Sequence, residues 1–285
     1  MRLDGRRESS NVDDRRGRRV GKASLGIGGT IIVGLLIWLM GGNPLDVVNS
    51  GLQGGSSAVS QEGQYVPTEE EEALAQFSKQ ILAGTEDVWT KVFAQKGLTY
   101  RPPKMVLFTE SVHSGCGSAS AQSGPFYCSA DQSLYIDLSF FRDMKKTLGA
   151  SGDFAYAYVI AHEVGHHVQY LLGTLDKAHA QMRQVSQSKA NAISVRLELQ
   201  ADYYAGVWAH HDDNMFNSME IGDLEEGLIA ANAIGDDRLQ MKSRGYVVPE
   251  SFNHGTSKQR SSWLRKGYRM GTIEDGDTFN LPDPE

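Results

Sequence analysis

The stretch AYVIAHEVGHHVQYLLG, residues 157–173, sets three histidines and one glutamate in an otherwise apolar run. Burying polar side chains without partners costs free energy, so their presence there asks for a chemical reason. His162 and His166 are four residues apart, which on a helix puts both imidazoles on one face. Neutral imidazole suits zinc, and Glu163 stands where it can take a proton from a water activated beside the first ligand. That is the equipment for adding water to a carbonyl, with Glu163 as general base. Two histidines do not complete such a site, and the motif needs a third ligand.

A third histidine ten residues after His162 is excluded, because Gln169 and Leu172 stand where that pattern wants glycine and histidine. The other solution is a glutamate from a later helix, and VRLELQADYYAG, residues 195–206, offers one. Glu198 and Asp202 are again four apart and share a face. Glu198 is read as the third metal ligand, and Asp202 as the acceptor of the outer N–H of His162. Such a carboxylate pair taken alone usually faces solvent, but Leu197, Leu199, Ala201, Tyr203 and Ala205 surround this one. His167 is turned about 100° from His166 on a helix and is read as no ligand of the same metal. His210 and His211 read as surface residues near a helix end, and His113 and His179 sit in no motif.

The elements that must hold these groups are mostly helical. After Gly152 the pattern is helical almost to the end, with Asp153 as a cap for the helix carrying His162 and His166. A long run from Asp176 to His211 follows, then DLEEGLIAANAIG and SKQRSSWLRKGYRM. Earlier, Thr68 and Glu71 form a capping-box pattern, a second helix start is predicted at Thr85, and Gly97 ends that region. KMVLFTES and SLYIDLSFF are β-rich and bracket a loop holding the two cysteines, Cys116 and Cys128. An even count outside the cytoplasm suggests a disulfide between them, two free buried thiols being the other reading. A structural zinc site of four cysteines is excluded.

The 285 residues carry a net charge of −7, distributed unevenly. Residues 1–22 hold eight Arg or Lys against four Asp or Glu, and the acidic remainder argues against a nucleic-acid-binding body. From Ala23 to Pro44 no side chain is charged, and about 20 apolar residues suffice to span a bilayer. The basic flank predicts a cytoplasmic N-terminus. A cleaved signal peptide is the rival reading, opposed by the length of the apolar region and the lack of a small-residue cleavage site. The resulting scheme is a basic cytoplasmic tail at 1–22, a transmembrane anchor at 23–42, a flexible Gly/Ser linker at 43–66 and a catalytic domain at 67–285. The fold class is α+β: a single transmembrane helix plus a compact zincin-like domain, mostly helical with a small flanking sheet.

HEVGHHVQ, ELQADYYAGVWAH, PFYCSADQSLYIDLSFF and HGTSKQRSSWLRKG together resemble the bacterial neutral zinc metallopeptidase family, grouped with the gluzincin-like proteases. The resemblance covers nearly the whole chain. It implies one zinc ion per chain, a protein or peptide substrate, and a cleft flanked by a small sheet. An extended substrate would pair with an edge strand, for which SLYIDLSFF with Tyr135 and Asp137 is the candidate, an interior strand being the alternative. His254 is a candidate oxyanion stabiliser with Tyr246 in reserve; otherwise His254 and Arg260 organise a loop and helix cap. The expected setting is the bacterial inner membrane, single-pass, with the catalytic domain periplasmic or extracellular and the bilayer as partner through residues 23–42. A catalytically silent, zinc-stabilised envelope scaffold is the alternative function. An intramembrane protease is set aside, because the apolar stretch before His162 is far too short to span.

Overall fold

The computed structural model describes residues 1–17, 65–120 and 124–281. Helix α1, Glu69–Gln95, opens on the capping box in which the Thr68 hydroxyl accepts from the Glu71 N–H and the Glu71 carboxylate accepts from the Thr68 N–H. No second start occurs at Thr85. The Thr85 hydroxyl donates to the Leu82 carbonyl within an unbroken helix, so its polar group is satisfied without leaving the helical path. Gly97, with φ of 70°, turns the chain out after Lys96.

Strands β1 (Val12–Asp14), β2 (Lys104–Phe108), β5 (Phe126–Cys128) and β6 (Ser133–Asp137) form one sheet in the order β1-β2-β6-β5. β1 and β6 both run parallel to β2, and β5 runs antiparallel to β6. Strands β3 (Ser111–Ser114) and β4 (Gly117–Ser120) make a separate hairpin. Cys116 in its turn forms a disulfide with Cys128 on β5, pinning the hairpin to the sheet. All five residues of β6 are buried, as befits a strand covered on both faces and paired on both edges.

The short helix α2 (Ser139–Asp143) and a π-helical turn (Met144–Leu148) lead to the helical layer. It comprises α3 (Asp153–Leu171), α4 (Thr174–Met182), α5 (Gln187–Phe216), α6 (Asp223–Ala233), α7 (Asp236–Arg244) and α8 (Ser257–Met270). α3 is nearly buried all round, which explains its continuous apolar character. Asp153 lies in the first turn of α3 without capping it. The Phe154 N–H is satisfied instead by the Glu226 carboxylate at 3.2 Å, while Asp153 pairs with the Met1 amino group. Trp89, Phe154, Tyr204 and Trp208 knit α1, α3 and α5 into one core, with Trp208 stacked on Phe154 and Trp89 edge-on to Tyr204.

The single transmembrane helix of the expected fold is corrected. Among the described residues no helix is long and apolar enough to cross a membrane, and the span expected at 23–42 lies outside them. The same holds for most of the expected linker at 43–66. Residues 1–17 also pack directly on the domain. β1 joins the sheet, Arg6 bonds Asp212 on α5 at 2.8 Å, Arg7 bonds Glu86 and Asp87 on α1, and Arg16 bonds Glu72 at 2.9 Å. The basic charge near the N-terminus answers carboxylates of the domain.

Candidate metal centre

α3 and α5 cross where Gly165 meets Ala201, so close that a β-carbon on Gly165 would lie 2.9 Å from the Ala201 carbonyl oxygen. The polar groups flank that contact, three residues before it and one after it on each helix. His162 and His166 come from α3 and Glu198 from α5, their ligand atoms all within 4.8 Å of one another. His162 Nε2 lies 3.2 Å from Glu198 Oε2, and His166 Nε2 lies 3.5 Å from Glu198 Oε1. Donor atoms bound tetrahedrally to zinc at about 2.0–2.1 Å stand about 3.3 Å from one another, so this set fits the ion. Two imidazoles and one carboxylate are also the donor types zinc takes in sites that leave a position open.

Each histidine is oriented through its outer nitrogen. His162 Nδ1–H donates to Asp202 Oδ1 at 2.8 Å, the role read for Asp202 from its spacing. His166 Nδ1–H donates to Gln169 Oε1 at 2.9 Å. The Gln169 amide in turn donates to the Leu197 carbonyl and to Gln200 Oε1, and Gln200 donates to the Gly276 carbonyl. Both rings thus turn Nε2 inward, one backed by a charged acceptor and the other by a neutral amide. Gln169 had counted only as the residue that breaks a different motif. Its spacing of three from His166 was the available signal.

The electrostatics follow from burial and neighbours. Burial opposes charge on His162, but Asp202 and Glu198 outweigh it and push its pKa up to about 10. Burial likewise opposes ionisation of Glu198, yet the two histidines hold its carboxyl well below the usual range. Glu163 behaves oppositely: burial raises its pKa, and the nearby histidines only moderate the rise. Among the described residues its carboxylate has no hydrogen-bond partner, which leaves it available to a water. His167 stays out of the cluster. It bridges two elements instead, Nε2–H donating to the Arg101 carbonyl at 2.7 Å and Nδ1 accepting from the Tyr127 hydroxyl at 2.9 Å.

The other sequence candidates fall at different distances from this centre. His254 is half-buried, and its Nδ1–H donates to Asp236 Oδ1 at 3.1 Å. Asp236 Oδ2 accepts the backbone N–H groups of Asn253, His254 and Gly255, so the loop is wrapped around one carboxylate. His254 lies near enough to Glu198 for its charge to help lower that carboxyl. Tyr246 is largely exposed. Tyr135 does not lie on a docking edge, because β6 is paired there with β2 on one side and β5 on the other, while Asp137 pairs with Phe108 of β2 and lies beyond the β5 register. Tyr135 donates to Asp131, and Asp137 accepts the Glu110 and Ser139 N–H groups. The open edge on this side of the sheet belongs to β5, whose Tyr127 reaches α3 through His167.

A family described as "Putative neutral zinc metallopeptidase" matches residues 1–279. Escherichia coli K12 has a relative named as the uncharacterized protein YpfJ, 46% identical over 286 residues that cover 98% of this chain and 99% of the relative. A Mycobacterium bovis relative, the uncharacterized protein Mb2605, is 42% identical over 194 residues covering 65% of this chain and 64% of its own length. No solved structure matches the chain. With the family match running through residues 1–17, the metal centre and helix α8 alike, the chain belongs to the neutral zinc metallopeptidase family.

Proposed function

We propose that the protein is a zinc-dependent peptidase in which His162, His166 and Glu198 hold one zinc ion and Glu163 is the general base. The observation that carries this reading is the convergence of three ligand atoms on one point beside a buried, unpartnered carboxylate. Zinc bound there supplies Lewis-acid polarisation of a carbonyl and brings the pKa of a water to about 7. The Glu163 carboxylate takes the proton of the attacking water and passes it to the departing amine nitrogen. Its raised pKa brings acceptor and donor forms closer to balance near neutrality. His254, its ring fixed by Asp236 and its charge felt at Glu198, is the candidate hydrogen-bond donor toward developing negative charge. An extended substrate pairs with the open edge of β5, whose position is held by the disulfide and by the Tyr127–His167 bond.

The test is Glu163→Gln in the full chain, assayed on a panel of unfolded proteins with and without chelator. The variant retains zinc at the parent's stoichiometry and loses hydrolysis by about 10²- to 10⁴-fold. Equal cleavage by parent and variant, with zinc verified in both, overturns the assignment of the base. A parent that binds zinc and cleaves nothing on the panel points to a zinc-stabilised scaffold.

A further inference from the structure

Arg260 neither binds the candidate ion nor activates water in the reading above, yet its guanidinium is buried directly behind His162. It comes from the first turn of α8, whose start is fixed by a capping box between Thr256 and Gln259. Nε donates to Asp202 Oδ2 at 2.8 Å and Nη2 to Asp202 Oδ1 at 3.0 Å, a two-pronged grip on one carboxylate. Asp202 Oδ1 also accepts the Tyr158 hydroxyl at 2.6 Å and His162 Nδ1–H at 2.8 Å.

We propose that Arg260 is a positioning residue of the metal centre, locking the plane of Asp202 so that His162 is held with Nε2 facing Glu198 and His166. The proposal rests on the zinc assignment of the preceding section. Tyr158 alone grips a single oxygen and leaves the carboxylate free to turn about its own axis. The parallel pair from Arg260 removes that rotation.

Charge and geometry give opposite signs for this residue, which makes the proposal decidable. Arg260 Nη2 lies 3.5 Å from His162 Nε2 and 3.9 Å from Glu198 Oε2, so as a bare charge it repels a divalent cation from the site. If charge dominated, removing Arg260 would tighten zinc binding. If positioning dominates, removal weakens it, by about 10- to 100-fold as for other outer partners of metal-binding histidines.

The experiment measures zinc affinity by chelator competition on the folded full chain, together with the visible spectrum of its Co²⁺ form. Arg260→Met weakens zinc binding by about 10- to 100-fold and changes the cobalt bands. Arg260→Lys recovers part of the loss, since an ammonium holds one carboxylate oxygen but not two in a plane. Unchanged or tighter zinc binding by Arg260→Met, or a cobalt spectrum identical to the parent's, overturns the proposal. If Arg260→Met does not fold, the double variant Arg260→Met/Asp202→Asn, which removes both charges, is compared with Asp202→Asn alone. Action through Asp202 predicts zinc affinity in the double variant equal to or, with the guanidinium charge gone, tighter than in Asp202→Asn alone, and a further loss in the double variant overturns it. Loss of binding in His162→Ala establishes the centre independently. Parent-like binding in His162→Ala defeats the zinc assignment itself, whereas parent-like binding in Arg260→Met alone defeats only the role of Arg260.

Discussion

Gly165 stands at the contact between α3 and α5, and Gly165→Ala tests whether that contact sets the spacing of the ligands. The added β-carbon would lie 2.9 Å from the Ala201 carbonyl oxygen and 3.1 Å from its Cα, against 3.4–4 Å for an ordinary contact. Backbone atoms have no rotamer to retreat into, so the two helices must part by about half an ångström. His162 and His166 flank Gly165 on one helix, and Glu198 and Asp202 flank Ala201 on the other. The shift therefore passes directly into the ligand set, where distances tolerate about 0.2 Å. Overpacking costs about 1–3 kcal/mol, while replacing a helical glycine returns about 0.5–1 kcal/mol. The metal-free protein should thus lose only about 1–2 kcal/mol in urea unfolding, while zinc affinity by chelator competition falls by about tenfold or more. A variant that binds zinc as the parent does, whatever its stability, would refute the idea that this crossing determines the site.

Three other perturbations follow from the same contacts. Burial holds the His167 pKa down at about 4, so the folded state refuses a proton that the unfolded chain accepts near 6.5. Its contribution is complete above pH 6.5 and falls away toward pH 4 by up to about 3 kcal/mol, readable as a pH-dependent urea midpoint that His167→Gln flattens. Arg6→Ala strands the buried Asp212 carboxylate and should destabilise by about 3 kcal/mol in thermal or urea unfolding; a loss near zero would mean that residues 1–17 are dispensable. Cys116→Ala/Cys128→Ala opens a loop of 12 residues in sequence separation and should cost about 3 kcal/mol. Adding reductant to the parent should reproduce that loss.

The candidate ligand cluster was legible because each half of it is local: two side chains four residues apart on a helix announce a shared face. The capping box at Thr68 and the boundary at Gly97 were readable for the same reason. What escaped was whatever depends on contacts between distant segments. Gln169 acquires meaning only beside Leu197 and Gln200, and Arg260 only beside Asp202. The alternation in SLYIDLSFF shows a strand but not its neighbours, so edge and interior stayed open alternatives until the pairing placed it between β2 and β5. The arginines near the N-terminus show the same limit. A cluster of positive charge next to an apolar run looks alike whether it flanks a membrane or answers Asp212, Glu86 and Glu72, since the answering carboxylates lie far away in sequence.

The parallel pairing of Val12 with Met105 and the bond from Arg6 to Asp212 also bear on how the chain is made. Translation proceeds from the N-terminus, and domains begin to organise as their parts emerge. Residues 1–17 are made before both their strand partner around Met105 and their buried acidic partner Asp212. Contacts of such high sequence separation form slowly, because a long loop must close before they reward it. Residues 1–17 thus dock on partners that follow far later in the chain, and α3 and α5 do not need that docking for their own contact.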